Sequence, residues 1–278
     1  LGDVYKRQAE DKTPYVFERR IALEGEADGL IVDADSAEIG QPDGAAVWVA
    51  HAMSLARLDV KSGEKTKDVV LPGRAEGMVI GKVEGTGGKR RLFVNVPRPD
   101  KTKETPDPKP LVVVIDPEKG EIVDRWEIKE NRGNGSIAMD EENGRLFVTT
   151  RSPAQVVVLN TKDGTEVARM KVSAEPGDVC YDAKLQRLFV ACGGDGGKME
   201  VFERKGVGAR LDKEEKKEEG ETKAESAAGI DRYELVHSAQ TLAGCRSAML
   251  NADERLLIAA TPAFGGEPTF VFVYVVGP

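Results

Sequence analysis

Histidine occurs twice and cysteine three times in 278 residues. That leaves too little material for a histidine-rich metal centre or a framework of disulfides. Long apolar runs are missing as well: the longest, residues 270–276, has seven members, against the roughly 18 that a membrane-spanning helix needs. Nor is there an excess of positive charge. Forty basic side chains face 48 acidic ones, for a net charge of −8 and a pI near 5.1, whereas a nucleic-acid-binding face is usually basic. No Cys-x-x-Cys-His occurs, so a covalent-haem propeller is not expected. These absences predict no nucleic-acid partner, no membrane span and no resident cofactor.

Residues 1–8, Leu-Gly-Asp-Val-Tyr-Lys-Arg-Gln, have no apolar segment and resemble translated sequencing-adapter read-through. On that reading they say nothing about compartment, and the fold lies in residues 9–278.

What the chain does have is a repeat. Arg-Leu-Phe-Val stands at 91–94, 145–148 and 187–190, with a relative, Arg-Leu-Leu-Ile, at 255–258 and a weaker one, Ala-Val-Trp-Val, at 46–49. Leu92, Leu146, Leu188 and Leu256 are spaced by 54, 42 and 68 residues. Two inserts explain the irregularity: residues 99–110, 12 long with four prolines, and residues 204–229, 26 long with 14 charged side chains. Without them every spacing is 42, the length of a four-stranded propeller blade.

Each unit repeats one internal order. A short apolar segment (77–83, 136–140, 178–182, 246–251) leads through a polar turn into the Arg-Leu-Phe-Val strand. A β-branched strand follows (111–115, 155–159, 199–203, 270–275), and an alternating one closes the unit (121–128, 166–172). The first unit uses 29–34, 45–50, 54–60 and 66–71. The middle strands are apolar on consecutive residues, which requires cover on both faces. Radially stacked blades supply it. The expected fold is therefore all-β, a β-propeller of four-stranded antiparallel blades in a single domain, with five blades visible. A closed five-bladed ring and part of a six- or seven-bladed one both fit. The last unit stops after its third strand, and residues 15–23 are the candidate for its fourth. The proline-rich insert reads as an extended excursion between strands two and three of the second blade. The charged insert reads as a disordered loop.

Pro-Gly-Asp-Val-x-x-Asp at 176–182, Arg-Leu-Phe-Val-Ala at 187–191 and Val-Val-Val-Leu-Asn-Thr-x-x-Gly at 156–164 resemble YVTN-type (YncE-like) repeats, within the quinoprotein-like and WD-repeat-like propellers. The resemblance spans residues 15–278 outside the inserts. It implies the fold and an exported, periplasmic or secreted setting, and it carries no catalytic residue over. The Gly-His and Trp-Asp dipeptides of WD repeats are absent.

In such a fold the loops entering the inner strands and those joining strands two and three share one end. Arg74, Arg132, Arg151 and Arg246 fall on them and are candidates for a positive ring, with His51 nearby. Guanidinium groups suit bidentate binding of carboxylate or phosphate. The leading expectation is a monomeric, non-enzymatic propeller that binds a protein or a small anionic ligand through these loops. The alternative is a propeller lactonase or hydrolase holding a divalent cation on Glu76, Asn134 and Asp178. His237 falls on an outer strand of blade four. Cys180 and Cys192 lie on adjacent strands, within reach of a disulfide or as free thiols, with Cys245 left over. Residues 193–197, Gly-Gly-Asp-Gly-Gly, lack the Lys-Ser/Thr of a phosphate loop and read as a hairpin. Asn134-Gly-Ser is a glycosylation sequon.

Overall fold

A computed structural model describes residues 20–33, 45–208, 230–263 and 268–277. The described residues form five antiparallel sheets and no helix. Blade one holds β1 (Ala27–Asp33), β2 (Ala46–His51), β3 (Ser54–Asp59) and β4 (Lys65–Val70). Blade two holds β5 (Gly77–Lys82), β6 (Arg90–Val96), β7 (Leu111–Asp116) and β8 (Glu121–Glu127). Blade three holds β9 (Asn134–Asp140), β10 (Arg145–Arg151), β11 (Ala154–Asn160) and β12 (Glu166–Lys171). Blade four holds β13 (Pro176–Asp182), β14 (Arg187–Cys192), β15 (Lys198–Gly208) and β16 (Ile230–Gln240). Among the described residues blade five has three strands: β17 (Ser247–Asn251), β18 (Leu256–Ala260) and β19 (Val271–Val275). Inner strands β1, β5, β9, β13 and β17 neighbour one another in that order, which makes the architecture a β-propeller.

The Arg-Leu-Phe-Val motif works because a strand points successive side chains to opposite faces. Leu146 and Val148 enter the core shared with blade two, while Phe147 enters the one shared with blade four. Leu188 and Val190 face blade three, and Phe189 faces blade five. One strand thus serves two interfaces, and its apolar residues cannot alternate with polar ones.

The fifth copy departs from the sequence alignment by one residue. Leu257 and Ala259 are the side chains that face blade four, not Leu256. The cause lies in the turn before the strand. Gly144, Gln186 and Arg255 hold the same left-handed position, with φ of 61°, 52° and 56°, so the arginine of the fifth copy is a turn residue rather than the first residue of its strand. Its Nε–H donates to the Val276 carbonyl.

Two other expectations change. The charged insert is shorter than the sequence suggested, because residues 204–208 continue β15 and pair with β16; the remainder, 209–229, lies outside the described residues. Of the candidate closing strand, residues 15–19 also lie outside them, and 20–23 form no strand. Leu23 packs instead on the outer face of blade one, against Val49, Ala56 and Leu58. Among the described residues the outer faces of blades one and five leave Leu30, Val32 and Val70, and Met249, Val271, Val273 and Val275, exposed.

The cysteines are free. Cys180 pairs in register with Phe189 and faces blade five, whereas Cys192 pairs with Pro176 and faces blade three. The two thiols therefore occupy opposite faces of one sheet, which rules out the bridge. Burial pushes the Cys180 thiol up to about 11 and the Cys192 thiol up to about 12, because desolvation penalises the thiolate. At pH 8 the thiolate fraction of Cys192 is then about one in ten thousand. Both thiols should resist a disulfide reagent in the folded chain and react once guanidinium unfolds it; rapid native labelling would show them exposed. Each group keeps its proton in the folded state while an unfolded thiol loses it near 9.0. Stability should accordingly decline as pH rises from about 9 toward 12.

Candidate functional site

Antiparallel alternation brings one set of loops to a common end, and there two depressions adjoin. The larger, about 710 Å³, is built by three successive blades: Asp28, Ala52 and Met53 from blade one, Arg74, Glu76, Pro97 and Arg98 from blade two and its entry, and Arg151 from blade three. The smaller, about 530 Å³, lies under the proline-rich insert and is lined by Arg98, Lys101, Asp107, Lys109, Asn131 and Arg132, among others. Arg98 and Pro97 belong to both.

Charge is distributed differently in the two. Arg74 holds Asp28 through two bonds, Nη2 to Oδ1 at 2.5 Å and Nε to Oδ2 at 3.2 Å, and reaches Glu26 at 3.2 Å. Arg151 donates to Glu76 at 3.0 Å. With Asp100 on the wall, the larger depression balances three guanidinium groups against three carboxylates. In the smaller one, four cationic side chains face the single carboxylate of Asp107. That carboxyl is held below the usual range, first by its hydrogen bond from Lys109, then by the charges of Lys109, Lys101 and Arg132.

The structure thus brings Arg74, Arg132 and Arg151 to one end but forms no ring of free positive charge, since Arg74 and Arg151 are neutralised. Arg246 lines neither depression. Its carbonyl accepts from the Asp178 N–H at 2.7 Å, and its stem lies against Gly193, where a Cβ would come within 2.6 Å of the Arg246 Cγ. His51 is buried at the end of β2, with Nδ1 2.8 Å from the Glu24 carbonyl oxygen and Nε2 3.7 Å from Asp68. His237 lines a separate cleft of about 330 Å³ between blades four and five, beside Val236 and Tyr274.

The three oxygen donors considered for a cation are each engaged elsewhere. Glu76 pairs with Arg151, and Asp178 accepts from the Ala248 N–H at 3.0 Å. Asn134 is fully buried; its Nδ2 donates to the Leu111 carbonyl and to Asn95, and its Oδ1 accepts from Asn131. Asn95 in turn donates to the Gly135 carbonyl at 2.8 Å. The sequon asparagine is therefore part of a clamp between blades two and three. Among the described residues no three His, Cys, Asp or Glu side chains gather in a way that could hold a metal ion. Residues 193–197 form the β14–β15 loop, with Gly196 and Gly197 at positive φ.

Sequence reasoning did not single out Asp28 or Asp100 and gave Arg98 no role. The position of Arg98, directly before the insert, is the signal that marks it.

Stacked four-stranded blades with a depression across their loop ends define this chain as a β-propeller. No protein-family profile and no curated protein matches it. Solved structures do. Kuenenia stuttgartiensis hydrazine synthase is similar at 18% identity and a TM-score of 0.58, covering 85% of this chain and 70% of that one. A second is dihydro-heme d1 dehydrogenase NirN in complex with DHE, at 11% identity and a TM-score of 0.50, covering 66% of this chain and 36% of that one. At these identities the likeness shows the fold alone.

Proposed function

We propose that this chain is a non-enzymatic binding propeller that holds a small anionic ligand at the loop ends of blades one to three. The observation that carries the reading is the convergence of loops from three blades on one depression of about 710 Å³, the kind of concave, mostly preformed site that binds small molecules. Its ionisable groups suit recognition better than reaction. Arg74 and Arg151 hold the nearest carboxylates as ion pairs, and no histidine lies on its walls. Divalent-metal hydrolysis is supported less well, because Glu76, Asn134 and Asp178 spend their oxygens on protein partners.

Hydrogen exchange across a panel of small carboxylates and phosphates tests the assignment. A bound ligand is expected to slow exchange at residues 52–53, 74–76 and 97–101 and to leave the turns at 140–145 and 182–187, at the opposite end of the strands, unchanged. Protection at those opposite turns, or chemical turnover of a ligand, would sink the reading.

A further inference from the structure

We propose that the smaller depression, beneath the proline-rich insert, is the seat of a compact anion carrying two or three negative charges. The inference rests on the loop-end binding reading and assigns ligand chemistry to one part of that face. Three independent features carry it.

The first is uncompensated charge. Arg98, Lys101, Lys109 and Arg132 line the depression with Asp107 as the one carboxylate on its wall, while Asp100 stands on the adjoining depression that shares Arg98. Several other arginines hold carboxylates: Arg74 with Asp28, Arg90 with Asp33, Arg145 with Asp231, Arg151 with Glu76. Arg98 and Arg132 have no ion pair among the described residues, and so keep their forked donors for a ligand that accepts bidentately. The lowered pKa of the exposed Asp107 carboxyl agrees with this, since Lys109, by hydrogen bond and charge, and then Lys101 and Arg132 act on it.

The second is rigidity. Pro97, Pro99, Pro108 and Pro110 line the cavity, and each fixes its own φ. The insert is also tied down: Asp100 N–H donates to the Pro72 carbonyl, Ile128 N–H to the Pro110 carbonyl, and Thr102 N–H to the Thr105 carbonyl. A wall already ordered loses little conformational entropy when a ligand arrives.

The third is the close fit of the entry linker. A Cβ on Gly73 would come within 2.6 Å of the Arg98 carbonyl oxygen and 3.0 Å of the Pro99 Cα. Backbone lies against backbone there, and only glycine allows it. The arrangement presses Arg98 into its place at the boundary of the two depressions.

Calorimetry of the full chain with inorganic pyrophosphate and with citrate separates the two sources of such an anion. A single saturable event is expected, weakened about tenfold by Arg98→Ala and by Arg132→Ala, as befits loss of one charge-assisted hydrogen-bonded contact. Asp107→Asn, which removes the one carboxylate on its wall, should tighten it several-fold. Preference for pyrophosphate assigns a phosphate ligand, and preference for citrate a carboxylate; either supports the seat. Absence of saturable binding with both anions overturns it, and so does an affinity unmoved by all three substitutions in variants whose circular dichroism is unchanged. If a ligand still protects residues 52–53 and 74–76 from exchange, only the seat has failed; if nothing protects the loop ends, the broader binding reading has failed as well.

Discussion

Asp231→Ala is expected to destabilise the chain by about 3–5 kcal/mol, the range found when one member of a buried charged cluster is removed. The Asp231 side chain is fully buried. It accepts from Arg145 Nε at 2.7 Å and Nη2 at 3.2 Å, and from Tyr233 Oη at 3.3 Å, with Arg204 Nη2 at 3.4 Å. Arg145 belongs to blade three, and the other three residues to blade four. The carboxylate therefore neutralises two nearly buried guanidinium groups across a blade boundary, and alanine removes the counter-charge that both share. Desolvation makes the pair costly to form, so the native cluster is not by itself a large source of stability. The asymmetry gives the test its resolution: Asp231→Ala with Arg145→Met should recover part of the loss, a coupling that independent sites would not show. Urea unfolding at constant m-value measures it, and a loss below about 1 kcal/mol would mean that water solvates the cluster.

The propeller was legible because its constraint is written into every unit. A middle strand that feeds two interfaces must be apolar on consecutive positions, and the 42-residue spacing follows once two polar inserts are removed. The places where sequence and structure part have local causes. Arg255 and Leu256 repeat the motif's dipeptide, yet the turn needs a left-handed residue at 255, which moves the inward leucine to 257. Residues 204–208 look like the start of a solvated loop because they are charged, glycine-bearing and rich in breaks. Arg204 is nonetheless drawn to Asp231, and the β15–β16 ladder runs on with a register shift between Arg204 and Gly206.

The candidate site was legible by location and not by charge. Which loops share an end follows from alternation along antiparallel strands, so placing Arg74, Arg132 and Arg151 together needs no coordinates. Whether those arginines are free depends on side chains 46 and 75 residues away, Asp28 and Glu76, whose approach is set by how blades stack. No local pattern encodes that distance. The same holds for Asn134, which as an isolated residue looks like a ligand or a glycosylation acceptor and in the fold is spent on the Leu111 carbonyl and Asn95. The proline-rich insert was visible as an interruption of the period; that its Lys101 and Lys109 share a depression with Arg98 and Arg132 emerges only in the fold.

Phe147→Ala should cost about 3–5 kcal/mol, the usual range for removing a buried aromatic ring. Phe147 is the third residue of the motif and fully buried between blades three and four. Its ring lies 5.1 Å from that of Tyr181 and 5.7 Å, edge to face, from that of Tyr233, contacts that contribute beyond area alone. Both tyrosines reach from this ring toward charge: Tyr181 Oη donates to Asp140 at 2.7 Å, and Tyr233 Oη to Asp231. A cavity at 147 therefore loosens the apolar core and the polar cluster that share the blade boundary. Phe147→Leu keeps most of the volume and should lose much less. Near-ultraviolet circular dichroism, which reports tyrosine packing, should change in Phe147→Ala while the far-ultraviolet sheet signal persists. The double change Phe147→Ala with Asp231→Ala should cost less than the two separate losses combined, because each already disturbs Tyr233. Strict additivity would instead show the boundary to be two independent contacts, one apolar and one ionic, rather than a single layer that joins blade three to blade four.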